Sequence, residues 1–167
     1  SARVPMLMKA PWIDSANRLI EGRFSLVDLV PTVLDMIGAD VPDRLHGRSR
    51  LPVLQGDETL AGNDVVVEWN GRNLEPSKKG EEFDLIQNAR KRALIGSDGW
   101  KLVVGLEDQN ELFDLNTDPA ELINLIDSED HRARSEEMLS TLVDWQIKVN
   151  DDMELPTAEK LSSASNP

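Results

Sequence analysis

Few side chains in this sequence have the chemistry of a nucleophile or a general base. The chain has no cysteine and only two histidines, His46 and His131. His46 precedes Ser49 by three residues, which would allow a base beside a hydroxyl nucleophile. No second histidine or carboxylate pair lies near His46, and its surroundings are rich in Gly and Pro. We interpret His46 as a loop residue and His131 as a surface residue, so the sequence predicts no catalytic residue in this segment.

One acidic segment has the spacing of a calcium loop. Asp114, Asn116 and Asp118 occupy positions 1, 3 and 5 of such a loop. Its sixth position normally is Gly and its twelfth is Glu, but Pro119 and Leu125 stand there. The residues therefore predict a turn leading into a helical turn. No metal site is predicted in this segment.

The end of one predicted strand is a candidate binding surface. Trp69 and Asn70 end that strand and Arg72 follows, and strand ends with the loops after them often carry function. These three residues are candidates for a substrate rim. The interpretation that the residue types favour is different: Trp69 packs on the sheet edge and Asn70 begins a turn, because tryptophan is usually mostly buried. The basic run 90–92 is more simply a strand face paired with acidic residues than an anion site.

Composition excludes several classes of protein. The 167 residues are 40% hydrophobic and 29% charged, as in globular proteins. No stretch approaches the roughly 20 apolar residues of a membrane span, and residues 1–11 lack the apolar core and cleavage site of a signal peptide. The composition leaves a periplasmic, secreted or cytoplasmic location open.

Charge is concentrated in the second part of the chain. The net charge is −13, and residues 107–167 carry 16 acidic and 4 basic residues, a net of −12. Nucleic acids and anionic membranes bind through Lys and Arg, so neither is expected as a partner. The asymmetry indicates two parts with different surroundings.

Apolar patterns predict an α/β fold of the α+β type. Residues 3–11 predict a buried strand without evident neighbours. Residues 28–38 predict a helix capped by Asp28, with Pro31 in its first turn and Gly38 at its end. Residues 39–63 predict an irregular connection with one helical turn near 51–54.

Four short strands and a long helix are predicted next. The strands are residues 65–69, 90–95, 100–106 and 111–115, with a hairpin at the Asp-Gly pair of residues 96–99. Helical spacing runs over 128–149 and predicts a helix that packs on the sheet. The predicted parts are thus 1–62, a strand, a helix and a connection, which the resemblance given below implies to be the end of a main α/β domain; 63–150, a sheet-and-helix subdomain; and 151–167, an extended tail that is draped over the surface or mobile.

In this order, the segments resemble the C-terminal portion of the sulfatase family, within the alkaline-phosphatase-like superfamily. Residues 3–7 match the Arg-Val-Pro strand of that family. Residues 28–38 match its helix pattern D-L-x-P-T-L-L-D-x-x-G. Residues 47–56 resemble G-x-S-L-x-P-x-L-x-G.

Two later segments complete the resemblance, which extends to about Trp145. Residues 100–102 match a W-K-L strand, and residues 111–125 match E-L-Y-D-L-x-x-D-P-x-E-x-x-N-L with Phe113 in place of tyrosine. The resemblance implies one strand and one helix of the alkaline-phosphatase-like main sheet, then the small four-stranded antiparallel sheet packed by a C-terminal helix.

The resemblance also implies a metal-dependent sulfuric ester hydrolase as the parent protein. Such enzymes use a formylglycine, made in a C/S-x-P-x-R motif, beside calcium or a similar divalent ion. Those motifs lie upstream of the Arg-Val-Pro strand in the family and are absent here, so no cofactor and no catalytic residue is assigned to this segment. The implied partners are the missing N-terminal catalytic domain and a sulfated small molecule or glycan.

Three functions remain open from the sequence. The chain is a structural, cleft-shaping part of a sulfatase that is not catalytic alone, a stand-alone acidic interaction module, or the same region of a phosphonate or phosphodiester hydrolase. Apolar residues such as Val4, Leu7, Val30 and Val33 look ready to be buried against a missing partner. This favours the first function, and it predicts self-association through residues 3–38.

Overall fold

The structure is a computed structural model that describes residues 4–13, 18–71 and 89–162. It divides into two compact units, unit 1 (Ser1–Val65) and unit 2 (Val66–Pro167). The predicted α/β class is confirmed, with helices and a four-stranded antiparallel sheet. Arg3, Arg72 and residues 163–167, which figure in the predictions above, lie outside the described residues. No helix within the described ranges is both long and apolar enough to cross a bilayer.

Unit 1 contains a helical segment and a short second helix. A 3-10 turn at Leu26–Asp28 leads directly into α1, Leu29–Met36, as the apolar spacing predicted. Pro31 lies in the first turn of α1, where backbone N–H groups lack intrahelical acceptors in any case. The predicted turn near 51–54 is present as α2, Leu51–Gln55.

The predicted opening strand is not formed among the described residues. Residues 4–10 adopt no regular secondary structure, and Val4 and Leu7 are 62 and 100% exposed. The physical reason is that a strand needs a neighbour for its backbone N–H and C=O groups. The only bridge described in unit 1 outside the named strands joins Gly22 to Leu60 instead.

Unit 2 is built on a meander with strand order β1-β2-β3-β4. The strands are β1, Val65–Trp69; β2, Lys91–Ile95; β3, Trp100–Val104; and β4, Glu111–Asp114. In register, Leu94 faces Leu102 across β2 and β3, and Leu102 faces Leu112 across β3 and β4. All three leucines are buried, so one face of the sheet forms the core.

The predicted hairpin between β2 and β3 is confirmed. Gly96 N–H donates to Trp100 O at 2.8 Å and Gly99 N–H donates to Gly96 O at 3.0 Å. Gly99 has a φ of +98°, which L side chains rarely adopt, and a Cβ there would lie 2.4 Å from the Asn116 side chain. Glycine is therefore required at this position by both conformation and space.

The long helix covers the core face of the sheet. A 3-10 turn at Glu129–His131 leads into α3, Arg132–Val149. Met138, Leu139 and Leu142 of α3 belong to the same buried cluster as the strand leucines. The chain after α3 also contributes, because Leu161 is in that cluster and only 3% exposed. Residues 151–162, part of the predicted tail, contain a 3-10 turn at Ala158–Lys160 and contribute to the core of unit 2.

Candidate functional site

The helical segment of unit 1 has its apolar stripe on the outside. Leu26, Val30, Val33 and Ile37, here named the outer stripe, recur every three or four residues and so share one face. Their exposed fractions are 65, 54, 44 and 65%. A surface helix of a globular protein normally turns such a stripe toward the core. The described residues of unit 1 therefore leave the outer stripe uncovered.

The opposite face of the helical segment is polar and buried. Asp28 and Thr32, one helical turn apart, are 4 and 0% exposed. Arg48 N–H and Arg50 Nε donate to the Asp28 carboxylate at 3.0 and 2.6 Å. Arg50 N–H donates to the Thr32 hydroxyl at 2.9 Å. The loop before α2 thus binds the polar face of the helix, and the apolar face is left outside.

The predicted capping role of Asp28 was wrong. Its side chain makes no capping hydrogen bond to α1, although Asp28 stands at the N-cap position. Its two carboxylate oxygens instead accept from Arg48 and Arg50, and the ion pair with Arg50 is buried on both sides. A buried guanidinium is a stronger partner for a carboxylate than an exposed backbone N–H. The sequence offered no signal of this, since the partners are about 20 residues apart.

Arg50 is the centre of a wider buried network. Its Nη2 donates to Asn63 Oδ1 at 2.6 Å, and Asn63 Nδ2 donates to Arg23 O at 2.6 Å. Its Nη1 is buried and has no hydrogen-bond partner among the described residues. The network joins α1, the loop before α2 and the chain near Arg23 into one body. It leaves one donor available for an acceptor.

Two of the three predicted rim residues lie at the end of β1. Trp69 is 44% exposed and Asn70 is exposed, while Arg72 is outside the described residues. An indole exposed to this extent is not packed like a core tryptophan. Trp69 and Asn70 are consecutive, so they present an apolar ring and an amide at the same strand end. This arrangement can contact a ligand that has both an apolar face and polar groups.

A buried arginine that sequence reasoning missed lies behind this strand end. The Arg92 side chain is 1% exposed, and its Nε and Nη2 donate to the two carboxylate oxygens of Asp151 at 2.9 and 2.6 Å. Its Nη1 donates to Trp69 O at 3.3 Å. The pKa of Asp151 is lowered to about 2, chiefly because the Arg92 hydrogen bond favours the charged carboxylate, while the burial of Asp151 acts in the opposite direction. The sequence placed Arg92 in a basic run paired with acidic residues, but it carried no signal that this arginine is buried or that it contacts Trp69.

The other members of the basic run are also paired with carboxylates. Arg90 Nη2 lies 2.6 Å from Asp152 Oδ1, and Lys91 Nζ pairs with Asp108. Partial burial is the largest single effect on the Asp108 pKa and acts to raise it, but the hydrogen bonds from Lys91 and Gln109 N–H, together with the Lys91 charge, outweigh it and the pKa is lowered. The predicted pairing of residues 90–92 with acidic residues is confirmed, but the three do not form one strand face, because Arg90 precedes β2 and consecutive strand residues point to opposite faces.

The segment with calcium-loop spacing forms turns. Asp114 Oδ1 accepts from Asn116 N–H at 3.0 Å, and this hydrogen bond is the main reason that the Asp114 pKa is lowered. Asp118 Oδ2 accepts from the N–H groups of Leu122 and Ile123 at 2.7 and 2.8 Å. Each of these carboxylates stabilises the loop by accepting hydrogen bonds from backbone N–H groups a few residues further along the chain. Within the described ranges, no three His, Asp or Glu side chains are grouped so that they could hold a metal ion.

The histidines have surroundings that differ from a nucleophile-and-base pair. His46 is exposed, and the Ser49 hydroxyl donates to the Asp35 carboxylate. The ring of His131 lies 5.2 Å from the Trp100 ring, centroid to centroid. The Ser49 hydroxyl is therefore hydrogen-bonded to Asp35 of α1, and His131 packs beside Trp100, the first residue of β3.

Comparison with known proteins decides the family of the chain. A family model described as N-sulphoglucosamine sulphohydrolase, C-terminal, matches residues 1–148. The chain belongs to the sulfatase family. It is 34% identical over 128 residues to dog (Canis lupus familiaris) arylsulfatase K, a match that covers 75% of this chain and 22% of that protein. The chain thus spans about a fifth of the length of this relative.

Solved structures of the alkaline-phosphatase-like superfamily share the fold. A putative sulfatase from Bacteroides thetaiotaomicron matches 78% of this chain and 26% of its own, with a TM-score of 0.60 and 26% identity. A phosphonate monoester hydrolase of Agrobacterium radiobacter matches 73% of this chain and 24% of its own, with a TM-score of 0.57 and 24% identity. The second likeness shows the fold alone.

In this sulfatase C-terminal region, the late family pattern has a structural role. Asn124 Oδ1 accepts from Leu112 N–H at 2.9 Å, and Asn124 Nδ2 donates to Asn110 O at 3.0 Å. Leu125 N–H then donates to Leu112 O at 2.8 Å. The segment after β4 is thereby fastened along the last strand. These residues of the sulfatase pattern hold the sheet edge and touch no nucleophile or general base in the described chain.

Proposed function

We propose that this chain is the C-terminal part of a sulfuric ester hydrolase and is not catalytic alone. In the parent enzyme, unit 1 packs against the preceding part of the main α/β domain, and unit 2 shapes the cleft for a sulfated small molecule or glycan. The observation that carries the proposal is the outer stripe, because a polar inner face and an apolar outer face are the reverse of a helix in a self-contained unit.

The apolar surface extends beyond the helical segment. Leu7 is fully exposed, and Trp12 and Leu19 are 63 and 82% exposed. Monomeric proteins rarely leave many large apolar side chains in contact with water. The residues of a missing domain are the natural cover, since the matched relatives are about three to three and a half times as long as this chain. This favours a part of an enzyme over a stand-alone acidic interaction module.

Trp69 and Asn70 are proposed as residues of the substrate rim, together with Arg72. The exposed indole supplies an apolar surface for the ring of a substrate, and the Asn70 amide supplies a donor and an acceptor. Arg72, a permanent cation, suits a sulfate group. These residues bind and orient; none of them is assigned a step in the hydrolysis.

The formylglycine and the divalent ion implied by the sulfatase family do not fit the described residues. The carboxylates of Asp28, Asp114, Asp118 and Asp151 already accept hydrogen bonds from Arg side chains or backbone N–H groups. The sequence also contains no cysteine and no C/S-x-P-x-R motif. We therefore assign both groups to the missing part of the parent and derive no reaction step from this chain.

An activity assay of the chain alone tests the proposal. The purified 167-residue chain is expected to hydrolyse neither 4-nitrophenyl sulfate nor 4-nitrophenyl phenylphosphonate, with or without calcium. The second substrate tests the alternative function, phosphonate hydrolysis. This alternative is included because the chain shares its fold with a phosphonate monoester hydrolase. Turnover of either substrate that copurifies with the chain through successive columns would overturn the assignment of all chemistry to the missing part.

A further inference from the structure

Arg92 is a buried cation in an otherwise apolar position. It is the second residue of β2 and is paired in register with Val104 of β3. Its side chain is 1% exposed, yet every one of its nitrogen atoms has a hydrogen-bond partner. The geometry toward Asp151 is bidentate, which fixes the plane of the guanidinium as well as its position.

The same guanidinium reaches the last two residues of β1. Nη1 donates to Trp69 O at 3.3 Å while also donating to Lys91 O at 2.9 Å. Nη2 lies 3.8 Å from Glu68 Oε2. Arg92 thus connects the strand end that carries Trp69 with its neighbour β2. Since the Trp69 indole is 44% exposed, packing of the ring alone gives this strand end little support.

Asp151 is itself held in place by the end of α3. The chain reverses at Asn150, which has a φ of +55°, and Asp151 N–H donates to Gln146 O at 3.0 Å. Gln146 Nε2 donates to Asp151 Oδ2 at 2.7 Å and to Met153 O at 2.8 Å. The carboxylate is therefore bonded from two sides. Any displacement of the Arg92 guanidinium would break several hydrogen bonds at once.

We propose that Arg92, held by Asp151, is the positioning residue of the substrate rim: it fixes the end of β1 so that Trp69 and Asn70 form a preorganised surface for the ring of a sulfated sugar. The proposal rests on the rim assigned above. A buried ion pair contributes little net stability compared with well-packed apolar residues. What it contributes is a fixed geometry, because a leucine at this position has no atom to hold the Trp69 carbonyl.

The neighbouring pair of Arg90 and Asp152 provides a matched control. Arg90 is two residues from Arg92, and Asp152 adjoins Asp151. Nη2 of Arg90 lies 2.6 Å from Oδ1 of Asp152, the same distance as between Nη2 of Arg92 and Oδ1 of Asp151. The side chains of Arg90 and Asp152 are 40 and 87% exposed, however. Within the described residues, the Arg90 guanidinium forms ion pairs with Asp152 and, at 4.0 Å, with Asp151, and neither residue belongs to β1. Arg90→Leu removes a charge and an ion pair of the same type without removing a contact to the rim.

The test uses the full 167-residue chain with Arg92→Lys, Arg92→Leu and Arg90→Leu variants. A lysine keeps a charge for Asp151 but cannot reach Asp151 and the Trp69 carbonyl in one planar fork. Amide hydrogen exchange is measured for residues 66–71 and, in the same samples, for β3. We expect Arg92→Lys to accelerate exchange of residues 66–71 about tenfold with β3 unchanged, and Arg90→Leu to leave both unchanged.

Equal exchange of residues 66–71 in all variants would overturn the positioning role. So would a uniform acceleration across residues 66–71 and β3 in Arg92→Lys, because that pattern marks a structural residue only. If Arg92→Leu fails to fold, the lysine variant still decides the question, since it preserves the ion pair with Asp151.

A binding measurement separates the positioning role from the rim itself. The indole cross-peak of Trp69 is assigned by Trp69→Phe and followed while glucosamine 6-sulfate is added. The proposal predicts a shift in the wild-type chain, a weaker affinity by about fivefold or more in Arg92→Lys, and no change in Arg90→Leu. Absence of a shift in the wild type would contradict the rim assignment, and the exchange data would still decide whether Arg92 orders the end of β1.

Discussion

The Asp28 carboxylate and the Arg50 guanidinium form a buried ion pair, with Oδ2 and Nε 2.6 Å apart and each side chain 5% exposed. The pair joins the start of α1 to the loop before α2. Because these polar groups occupy the inner face of the helical segment, its apolar residues lie outside. The orientation of α1, and with it the exposure of the outer stripe, therefore depends on this contact.

Removing one partner of this pair is expected to destabilise unit 1 selectively. Asp28→Ala leaves the buried Arg50 charge without its carboxylate, at a cost of about 3–5 kcal/mol. Hydrogen exchange during urea unfolding measures this loss in α1 separately from α3. The matched control is Asp40→Ala, which removes an exposed carboxylate from the same unit. Equal stability of α1 in both variants would contradict a dependence of helix orientation on Asp28.

The outer stripe is expected to promote self-association of the isolated chain. Replacing Val30, Val33 and Ile37 by serine removes three exposed apolar side chains and should reduce the weight-average mass at high concentration. The unfolding free energy should change by only about 0.5 kcal/mol per site, because exposed side chains contribute little to stability. Sedimentation equilibrium measures the first quantity and urea unfolding the second.

A second pair of exposed apolar residues controls for this effect. Val143 and Ile147 of α3 are 40 and 76% exposed in unit 2. Their replacement by serine should leave the association constant unchanged. A wild-type chain that stays monomeric at millimolar concentration, or equal effects of the two sets of substitutions, would count against a docking face on α1.

Acid is expected to weaken the contact between β2 and the chain after α3. The Asp151 pKa is lowered from 3.8 to about 2, chiefly by the Arg92 hydrogen bond, which corresponds to about 2 kcal/mol. A lowered native pKa means that this stability is present above about pH 4 and is lost as the pH falls through about 2. Asp151→Asn should therefore show a smaller decrease in unfolding free energy between pH 5 and pH 2 than the wild type.

The control for acid sensitivity is Asp152→Asn. Arg90 also lowers the Asp152 pKa through its hydrogen bond, but this pair lies on the surface and is screened by water and salt. Its pH dependence should stay close to that of the wild type. A loss of pH dependence in Asp152→Asn equal to that in Asp151→Asn would show that the buried pair has no special role.

The hairpin between β2 and β3 requires glycine at position 99. Gly99→Ala places a Cβ at a φ of +98° and against the Asn116 side chain, and a loss of about 1–3 kcal/mol is expected. Gly38→Ala is the comparison: Gly38 also has a positive φ, +69°, but a Cβ added there would lie in open space. Thermal unfolding of the two variants separates steric contact from backbone conformation. A larger loss in Gly38→Ala would contradict the steric account.

Local patterns predicted most of the sheet and helices of this chain. The Asp-Gly turn, the strand leucines and the helical spacing near Met138 depend on neighbouring residues, and the structure confirms them. The opening strand could not be decided in this way. A strand forms only beside another strand, and residues 4–10 have no such neighbour among the described residues.

Long-range polar contacts could not be predicted from the sequence. Arg92 and Asp151 are 59 residues apart, and Asp28 and Arg50 are 22 apart. Composition shows that cations and carboxylates are present, but only the fold decides which of them meet. For the same reason, the sequence indicated Trp69 and Asn70 as rim candidates while giving no sign of the buried arginine behind them.

The nucleotide sequence that precedes the Ser1 codon decides whether this chain is part of a longer sulfatase. If the chain is the C-terminal part of a sulfatase, the reading frame continues upstream through a C/S-x-P-x-R motif preceded by paired aspartates. A reading frame that starts at or near Ser1 would contradict the account. In that case the outer stripe would serve a separate partner protein, and the chain would be a non-catalytic relative of the family.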